Sequence, residues 1–158
     1  MRILVFSDSH GYKNNIERII IEQNSVKEIF FCGDGEDEIL SLKQKYSEKN
    51  FHIIKGNCDY RSNLPIVKFF QIENKKVMLT HGHSYFVKSS LDDLKFAAKQ
   101  NNVDIAVFGH THNALCLYEN GIYYINPGSS SGYDASFAII DINNDNIFAK
   151  IIEFSKIK

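Results

Sequence analysis

The sequence predicts an α/β fold in which two sheets pack face to face with helices on the outside. Apolar runs alternate with helical repeats in the first half of the chain, and short strands separated by turn signals follow in the second half. Of the 158 residues, 44% are hydrophobic, which is enough to bury a sizeable core. A chain of this length is expected to form a single domain over residues 1–158.

The first half of the chain reads as β-α-β-α-β. Continuous apolar runs predict buried strands at residues 3–6, 28–32 and 51–55. Helical spacing predicts one helix from Tyr12, Ile16, Ile19 and Ile20, and a second from Ile39, Leu42 and Tyr46. This order of elements implies a parallel sheet with right-handed crossovers.

The second half is predicted to contain mostly short strands. Strands are expected near residues 66–72, 77–80 and 103–108, with a helix starting near Ser90, where Ser90 and Asp93 have the spacing of a capping box. Leu91, Leu94 and Ala98 would form the buried stripe of this helix. Strands at 114–118, 122–125, 137–142 and 147–154 follow, and the last three are expected to pair as antiparallel hairpins.

Composition disfavours several classes of function. The formal net charge is −1, so the chain lacks the basic surface that nucleic-acid or membrane binding normally requires. The three cysteines are scattered without a CxxC pair, which favours a reducing compartment, and Cys32 and Cys116 are expected in the core. No signal-peptide core and no run near ~20 apolar residues is present, so a cytoplasmic location is expected.

Five of the six histidines lie in three short segments that also carry carboxylates or glycines. These segments are Asp8-Ser9-His10, His81-Gly82-His83 and Gly109-His110-Thr111-His112, with Gly33-Asp34 and Gly56-Asn57-Cys58-Asp59 between them. Each segment follows a predicted strand, and the carboxyl ends of parallel strands meet at one edge of a sheet. Imidazole, carboxylate and amide oxygen together are ligands for transition metals. About seven such groups suit two ions, the arrangement that hydrolyses phosphate esters.

Each segment taken alone also has an ordinary structural interpretation. Asp8 or Ser9 could cap a helix, and Asp34 could belong to a turn. Asn57 could be a left-handed turn residue, and His81 could be a core histidine. These interpretations would require five independent coincidences at strand ends, so the metal interpretation is favoured for the set.

The five segments, in this order, resemble the pattern of the calcineurin-like metallophosphoesterase superfamily: D-x-H, G-D, G-N-H-[DE], a later H, and G-H-x-H. The small size, Cys58 and the segment Asn126-Pro127-Gly128-Ser129 resemble its YfcE-like phosphodiesterase branch, with which the retromer subunit Vps29 shares its fold. The resemblance implies a four-layer α/β/β/α sandwich of two mixed sheets flanked by helices.

The resemblance also implies roles for individual residues. Asp8, His10 and His112 would hold one metal ion, Asn57, His81 and His110 the other, and Asp34 would bridge both. The implied enzyme is a phosphodiesterase whose nucleophile is a metal-bridging hydroxide. Mn²⁺ is favoured as the activating ion, with Zn²⁺, Fe²⁺, Ni²⁺ and Co²⁺ as alternatives, because several imidazoles argue against Mg²⁺ and Ca²⁺.

The chain departs from the superfamily pattern at Cys58, where a histidine usually stands. A thiol is a weak hydrogen-bond donor, so phosphodiesters or esters with good leaving groups are the favoured substrates, and Asp59 is expected to be structural. His83 is a candidate either for orienting His81 or for donating a proton. Asn57 and Arg61 are candidate substrate contacts, although Arg61 could equally be a solvated surface residue.

Other interpretations remain open at this point. Asn126 and Ser129 could contact substrate, but a structural turn is slightly favoured. A Vps29-like scaffold without catalysis is one alternative function, although all seven candidate ligand positions hold competent residues. A nuclease of the same superfamily is another, disfavoured by the near-neutral charge. The expected ligand is a small phosphodiester, and an exposed sheet or hairpin would allow a homodimer.

Overall fold

Two five-stranded sheets form the centre of the molecule in the computed structural model, which describes residues 1–156. In chain order the elements are β1 (Arg2–Phe6), α1 (Lys13–Glu22), β2 (Glu28–Phe31), α2 (Glu36–Lys45), β3 (Asn50–Ile53), β4 (Val67–Ile72), β5 (Lys75–Thr80), α3 (Asp92–Gln100), β6 (Ile105–Val107), β7 (Leu115–Glu119), β8 (Ile122–Asn126), β9 (Ser136–Asn143) and β10 (Asn146–Glu153). The first sheet has the order β10-β9-β1-β2-β3 and the second β4-β5-β6-β8-β7.

Both sheets are mixed, as expected. In the first sheet β1, β2 and β3 are parallel, which confirms the predicted β-α-β-α-β unit, while β9 runs antiparallel to both β1 and β10. In the second sheet β5, β6 and β8 are parallel, and β4 and β7 are antiparallel edge strands.

Three apolar layers hold the sandwich together. Ile16 and Ile20 of α1 and Ile39 of α2 pack on the outer face of the first sheet. Residues such as Val5 and Leu79 fill the space between the sheets, and α3 covers the outer face of the second sheet. This confirms the four-layer arrangement. Across residues 1–156, no helix combines the length and apolar character that crossing a membrane would require.

Several local predictions were wrong. Strands β8 and β9 do not form a hairpin, because β8 lies between β6 and β7 and the chain then crosses to the other sheet. Ser90 does not form a capping box with Asp93. Its hydroxyl instead accepts the backbone N–H of Asp92 and donates to the carboxylate of Asp92. Cys116 is exposed rather than in the core because β7 is an edge strand, and Tyr12 lies 62% exposed before α1 begins.

The candidate ligand segments lie at one end of both sheets. Asp8 follows β1, Asp34 follows β2 and Asn57 follows β3, while the segments with His81 and His110 follow β5 and β6. Since these five strands are parallel within their sheets, the topology brings the loops after their carboxyl ends to one edge of the sandwich.

Candidate metal centre

Asp8, His10 and His112 form the first group of converging ligand atoms. Oδ1 of Asp8 lies 3.1 Å from Nε2 of His112 and 3.8 Å from Nε2 of His10, and the two imidazole nitrogens are 3.3 Å apart. Asp8 is fully buried, and its Oδ1 has no hydrogen-bond partner among the residues that the structure describes. Buried polar atoms are almost always satisfied, so this oxygen, facing two imidazoles, fits a bound cation.

Asp34, Asn57 and His81 form the second group. Nε2 of His81 lies 3.1 Å from Oδ1 of Asn57 and 3.3 Å from Oδ2 of Asp34. The other ring nitrogen of His81, Nδ1, is 2.6 Å from the backbone oxygen of Cys32 and therefore donates its proton there. This bond fixes the orientation of the ring, so that Nε2 is the nitrogen that faces the centre and would bind an ion once its own proton is released.

The two groups adjoin each other. Oδ1 of Asp8 is 3.9 Å from Nε2 of His81, and ligand atoms of Asp8, Asp34 and His81 all lie within 4.8 Å of one another. Asp34 also lies within that distance of His10 and Cys58. Asp34 is thus placed between the two groups, where one carboxylate could serve both.

His110 stands beside the second group. Its backbone N–H donates to Oδ2 of Asp8 at 3.1 Å, and its ring centroid is 5.0 Å from that of His81. Burial and the neighbouring His81 lower the pKa of His110 to about 4. The imidazole is therefore neutral near pH 7, the form that a metal ligand requires.

Asp34 and His81 stabilise each other's charged forms. Burial alone would raise the pKa of Asp34, but the hydrogen bond and charge of His81 and the backbone N–H of Cys58 hold it below its usual value. Burial likewise opposes protonation of His81, but the carboxylates of Asp34 and Asp8 raise its pKa. The carboxylate of Asp34 is consequently ionised over the working range of pH, as a metal ligand must be.

The backbone at these residues is held in a rare conformation. Of ten non-glycine residues with positive φ in the described part of the chain, five belong to the candidate centre: Asp8, His10, Asp34, His110 and His112. Such conformations cost free energy and cluster at functional sites, where the surrounding structure enforces them. Nothing in the hydrophobic pattern of the sequence indicated this strain.

Two glycines are required by close approach to the ligand carboxylates. A Cβ atom on Gly56 would lie 2.0 Å from Oδ1 of Asp34, and one on Gly109 would lie 2.8 Å from Oδ2 of Asp8. The glycines of the Gly-Asn and Gly-His motifs therefore serve packing against Asp34 and Asp8, not only the turning of the chain.

Asp59 organises the loops around Asp34. Its Oδ2 accepts the backbone N–H of Asp34 at 2.9 Å and of Gly56 at 2.7 Å, and its Oδ1 accepts those of Gly35 and Glu36 at 3.0 and 3.1 Å. A carboxylate that accepts four backbone bonds has a structural function, in agreement with the sequence-based expectation.

Cys58 is placed beside Asp34, but its thiol is a poor acid. Burial and the hydrogen bond with Asp34 raise the pKa of Cys58 to about 11. A proton held this firmly is transferred inefficiently near pH 7.

His83 does not orient His81, because the carbonyl of Cys32 does so. The ring of His83 lies 5.5 Å from that of His81, and its Nδ1 is buried without a partner within residues 1–156. Burial and the charge of His81 lower its pKa. Arg61 lines a cleft next to His10 and Asp34, which is compatible with a substrate contact.

Asn126 and Ser129 have structural functions, as was slightly favoured from the sequence, although the bonds they make were not foreseen. The Nδ2 group of Asn126 donates to the backbone oxygen of Gly109 at 2.9 Å and to Oγ1 of Thr111 at 3.0 Å. The hydroxyl of Ser129 donates to the backbone oxygen of Asp8 at 2.8 Å. Both residues are buried, and they hold the ligand segments in place. The sequence feature that could have indicated these bonds is an asparagine, Asn126, at the end of a strand predicted to be buried.

A family model and the curated relatives of this chain agree on one family. The calcineurin-like phosphoesterase superfamily domain matches residues 1–145. The probable metallophosphoesterase YsnB of Bacillus subtilis is 29% identical over 150 residues, covering 92% of this chain and 86% of YsnB. A probable metallophosphoesterase of Methanocaldococcus jannaschii is 32% identical over 133 residues, covering 82% of this chain and 68% of its own length.

Solved structures show the same fold. A predicted phosphoesterase from Streptococcus pneumoniae superposes with a TM-score of 0.81 at 25% identity, covering 98% of this chain and 90% of that one. Zinc-complexed Vps29 from Entamoeba histolytica has a TM-score of 0.75 at 22% identity, covering 98% and 99%. The E. coli phosphoesterase YfcE has a TM-score of 0.67 at 22% identity, covering 98% and 100%. These neighbours fit the YfcE-like branch inferred from the motifs.

Proposed function

We propose that this chain, which belongs to the calcineurin-like phosphoesterase superfamily, is a metal-dependent phosphoesterase that hydrolyses phosphodiesters at a centre of two divalent ions. The observation that carries the proposal is the convergence of two groups of ligand atoms, with a buried and otherwise unpartnered carboxylate oxygen of Asp8 between them. The fixed ring orientation of His81 adds to it.

The proposed ligand sets follow the two groups. Asp8, His10 and His112 would hold one ion, while Asn57, His81 and His110 would hold the second, and Asp34 would contribute to both. When bound, two divalent ions supply a water of lowered pKa as nucleophile and Lewis-acid stabilisation of the phosphoryl oxygens. Mn²⁺ is the ion we expect to activate the enzyme best, ahead of Zn²⁺, Fe²⁺, Ni²⁺ and Co²⁺.

The side chains of this protein then bind and orient the ester. Asn57 reaches the centre from the loop after β3, and Arg61 lies in the adjoining cleft, where its guanidinium could pair with a phosphoryl oxygen. His83 is the remaining imidazole at the edge of the centre and is proposed to hydrogen-bond the leaving-group oxygen.

The preference for diesters is inferred from Cys58. A thiol whose pKa is raised to about 11 gives little help to a basic leaving group. Esters whose alcohol leaves easily, and diesters, which carry one negative charge fewer than monoesters, depend less on such help.

The proposal can be tested with metal-stripped protein. We expect no turnover of bis-(p-nitrophenyl) phosphate until Mn²⁺ is restored, and then faster turnover than of p-nitrophenyl phosphate. Asp34→Asn should lower activity by at least about 100-fold, since even partners of metal ligands contribute about 10- to 100-fold. Asp93→Asn, an exposed carboxylate on α3, is the matched control. Full activity of Asp34→Asn would refute the two-ion centre.

A scaffold without catalysis is the second candidate, because Vps29 shares the fold, with a TM-score of 0.75 for its zinc complex. Absence of turnover with every one of the five transition ions, in protein that still binds Mn²⁺, would favour the scaffold.

A further inference from the structure

One cleft adjoins the candidate metal centre on the side of the first sheet, and a second lies beside the loop that carries His110 and His112 on the side of the second sheet. The polar cleft, of about 460 Å³, is lined by His10 and residues 34–38 and 58–62, from the loops of the first sheet. The apolar cleft, of about 520 Å³, is lined by residues 87–88, 91, 108, 111 and 113–115, from the loops of the second sheet. Both volumes are in the range of small-molecule sites.

The polar cleft offers a stacking surface and hydrogen-bond acceptors. The ring of Tyr60 is 88% exposed and stands next to Arg61 on one wall. The carboxylates of Glu36 and Asp37, in the first turn of α2, belong to the same lining. An exposed aromatic face stacks on a planar ring, and carboxylates accept hydrogen bonds from hydroxyl, imino or amino groups.

The apolar cleft has different walls. Val87 and Phe108 are buried, and the half-buried Leu91 and Leu115 complete its apolar surface. Thr111, which lies between His110 and His112 in the chain, belongs to the lining, so the cleft borders the loop that carries these two histidines. Such a surface favours an alkyl or aryl group over a charged or hydrated one.

Lys88 supplies the charge of the apolar cleft. It is the charged residue in the lining. A cation in the lining suits a bound phosphate whose ester arm enters the cleft.

We propose that the two clefts bind the two ester arms of an asymmetric phosphodiester: an alkyl or aryl arm in the apolar cleft, and a polar arm that carries a ring, such as a nucleoside, in the polar cleft. This inference rests on the proposed function and specifies its substrate class. A phosphomonoester has one ester arm and would leave one cleft empty, whereas a diester with unlike arms fills both.

The polar cleft is tested with two diesters that share a leaving group. In thymidine 5′-(p-nitrophenyl phosphate) and methyl p-nitrophenyl phosphate, water adds to phosphorus and the same bond to p-nitrophenolate breaks. Differences in kcat/KM therefore report on the other arm. We expect the thymidine ester to be favoured about tenfold, the value of one stacked base.

Tyr60→Ala should remove this preference by raising KM for the thymidine ester, while the methyl ester is unaffected. Tyr60→Phe, which keeps the ring, is the matched control and should retain the preference. An unchanged preference in Tyr60→Ala, or no preference in the wild type, would overturn the assignment of the polar cleft.

The apolar cleft is tested by filling it. Ala114 is exposed and lines the cleft, so Ala114→Phe adds a ring there without disturbing the core, and Ala114→Ser is the matched control. We expect Ala114→Phe to raise KM for both nitrophenyl diesters about tenfold, with Mn²⁺ affinity by calorimetry unchanged. Equal KM values in the two variants would overturn the assignment.

The outcomes separate the two levels of inference. Metal-dependent hydrolysis without any dependence on the arms would leave the proposed function standing and overturn the two-cleft assignment alone. No hydrolysis of bis-(p-nitrophenyl) phosphate by the wild-type protein with Mn²⁺ would overturn both.

Discussion

Replacing Asp59 by Asn should destabilise the protein and its metal centre together, although Asp59 is not a proposed metal ligand. Each oxygen of its carboxylate accepts two backbone N–H groups, those of Asp34 and Gly56 on Oδ2 and those of Gly35 and Glu36 on Oδ1. An amide keeps one acceptor oxygen and turns an NH₂ group toward the other two donors. The substitution thus removes two charge-assisted hydrogen bonds and leaves their donors facing another donor.

The expected loss can be worked out from these bonds. A hydrogen bond to a charged group contributes about 1.5–3 kcal/mol, so two bonds amount to about 3–6 kcal/mol. Asp59 is only half-buried, and water can replace part of what is lost, so we expect about 2–4 kcal/mol. If the amide nitrogen replaces Oδ2, the backbone N–H of Asp34 loses its acceptor, and if it replaces Oδ1, that of Gly35 does. In either case the backbone at Asp34 shifts, and the position of the Asp34 carboxylate changes with it.

Urea unfolding of metal-free protein, followed by circular dichroism, measures the first effect, and calorimetric titration with Mn²⁺ measures the second. Asp93→Asn in the first turn of α3 controls for the loss of one negative charge and should change stability by less than about 1 kcal/mol, the value of a favourable charge at a helix N-terminus. A variant Asp59→Asn with unchanged stability and Mn²⁺ affinity but little activity would refute the structural function and indicate a direct part in the chemistry.

Three further predictions concern the same loops. Gly56→Ala places a methyl group 2.0 Å from Oδ1 of Asp34 and should abolish Mn²⁺ binding by calorimetry, whereas Gly121→Ala, where nothing lies within 4 Å, should only destabilise by about 1 kcal/mol through its positive φ. Cys58→His should raise kcat for alkyl phosphate esters by about 100-fold in a phosphate-release assay and hardly change that for p-nitrophenyl esters, because only basic leaving groups need a proton donor. The pKa of His110 is lowered to about 4 from about 6.5 in an unfolded chain, so its contribution destabilises metal-free protein as the pH falls from about 6.5 to about 4. The urea midpoint of wild type should fall relative to that of His110→Asn as the pH decreases across this range, and a difference that does not change with pH would contradict this sign.

The fold was predictable because its pattern is local and repeated. The sequence shows continuous apolar runs at β1 and β2 and an apolar stripe of Ile16, Ile19 and Ile20 at helical spacing. These apolar residues are buried in the structure, as the patterns predicted. Pairing of the later strands was not predictable in this way. Strands β8 and β9 are short apolar segments separated by a turn signal, and nothing in their composition states that they belong to different sheets.

The positions of the candidate ligands could be predicted for a different reason. Polar residues directly after buried parallel strands lie at the carboxyl edge of a sheet, so Asp8, Asp34 and His81 were expected to lie close together. The contacts that hold them could not be predicted. The bond from His81 to the carbonyl of Cys32 and the bonds from Asn126 to the 109–111 segment join residues far apart in sequence, and backbone partners leave no trace in side-chain patterns.

The strained backbone of the centre bears on the choice between an enzyme and a scaffold. Five candidate ligands have positive φ, at a cost of about 1 kcal/mol or more each. The hydrogen bonds of Asp59, Asn126 and Ser129 offset that cost by fixing the loops. A scaffold that had no need of a bound cation would gain stability by relaxing these loops. Strain, fixing bonds and competent ligands occurring together are explained most simply if the loops must hold a cation in a defined geometry, as a metal-dependent phosphoesterase requires.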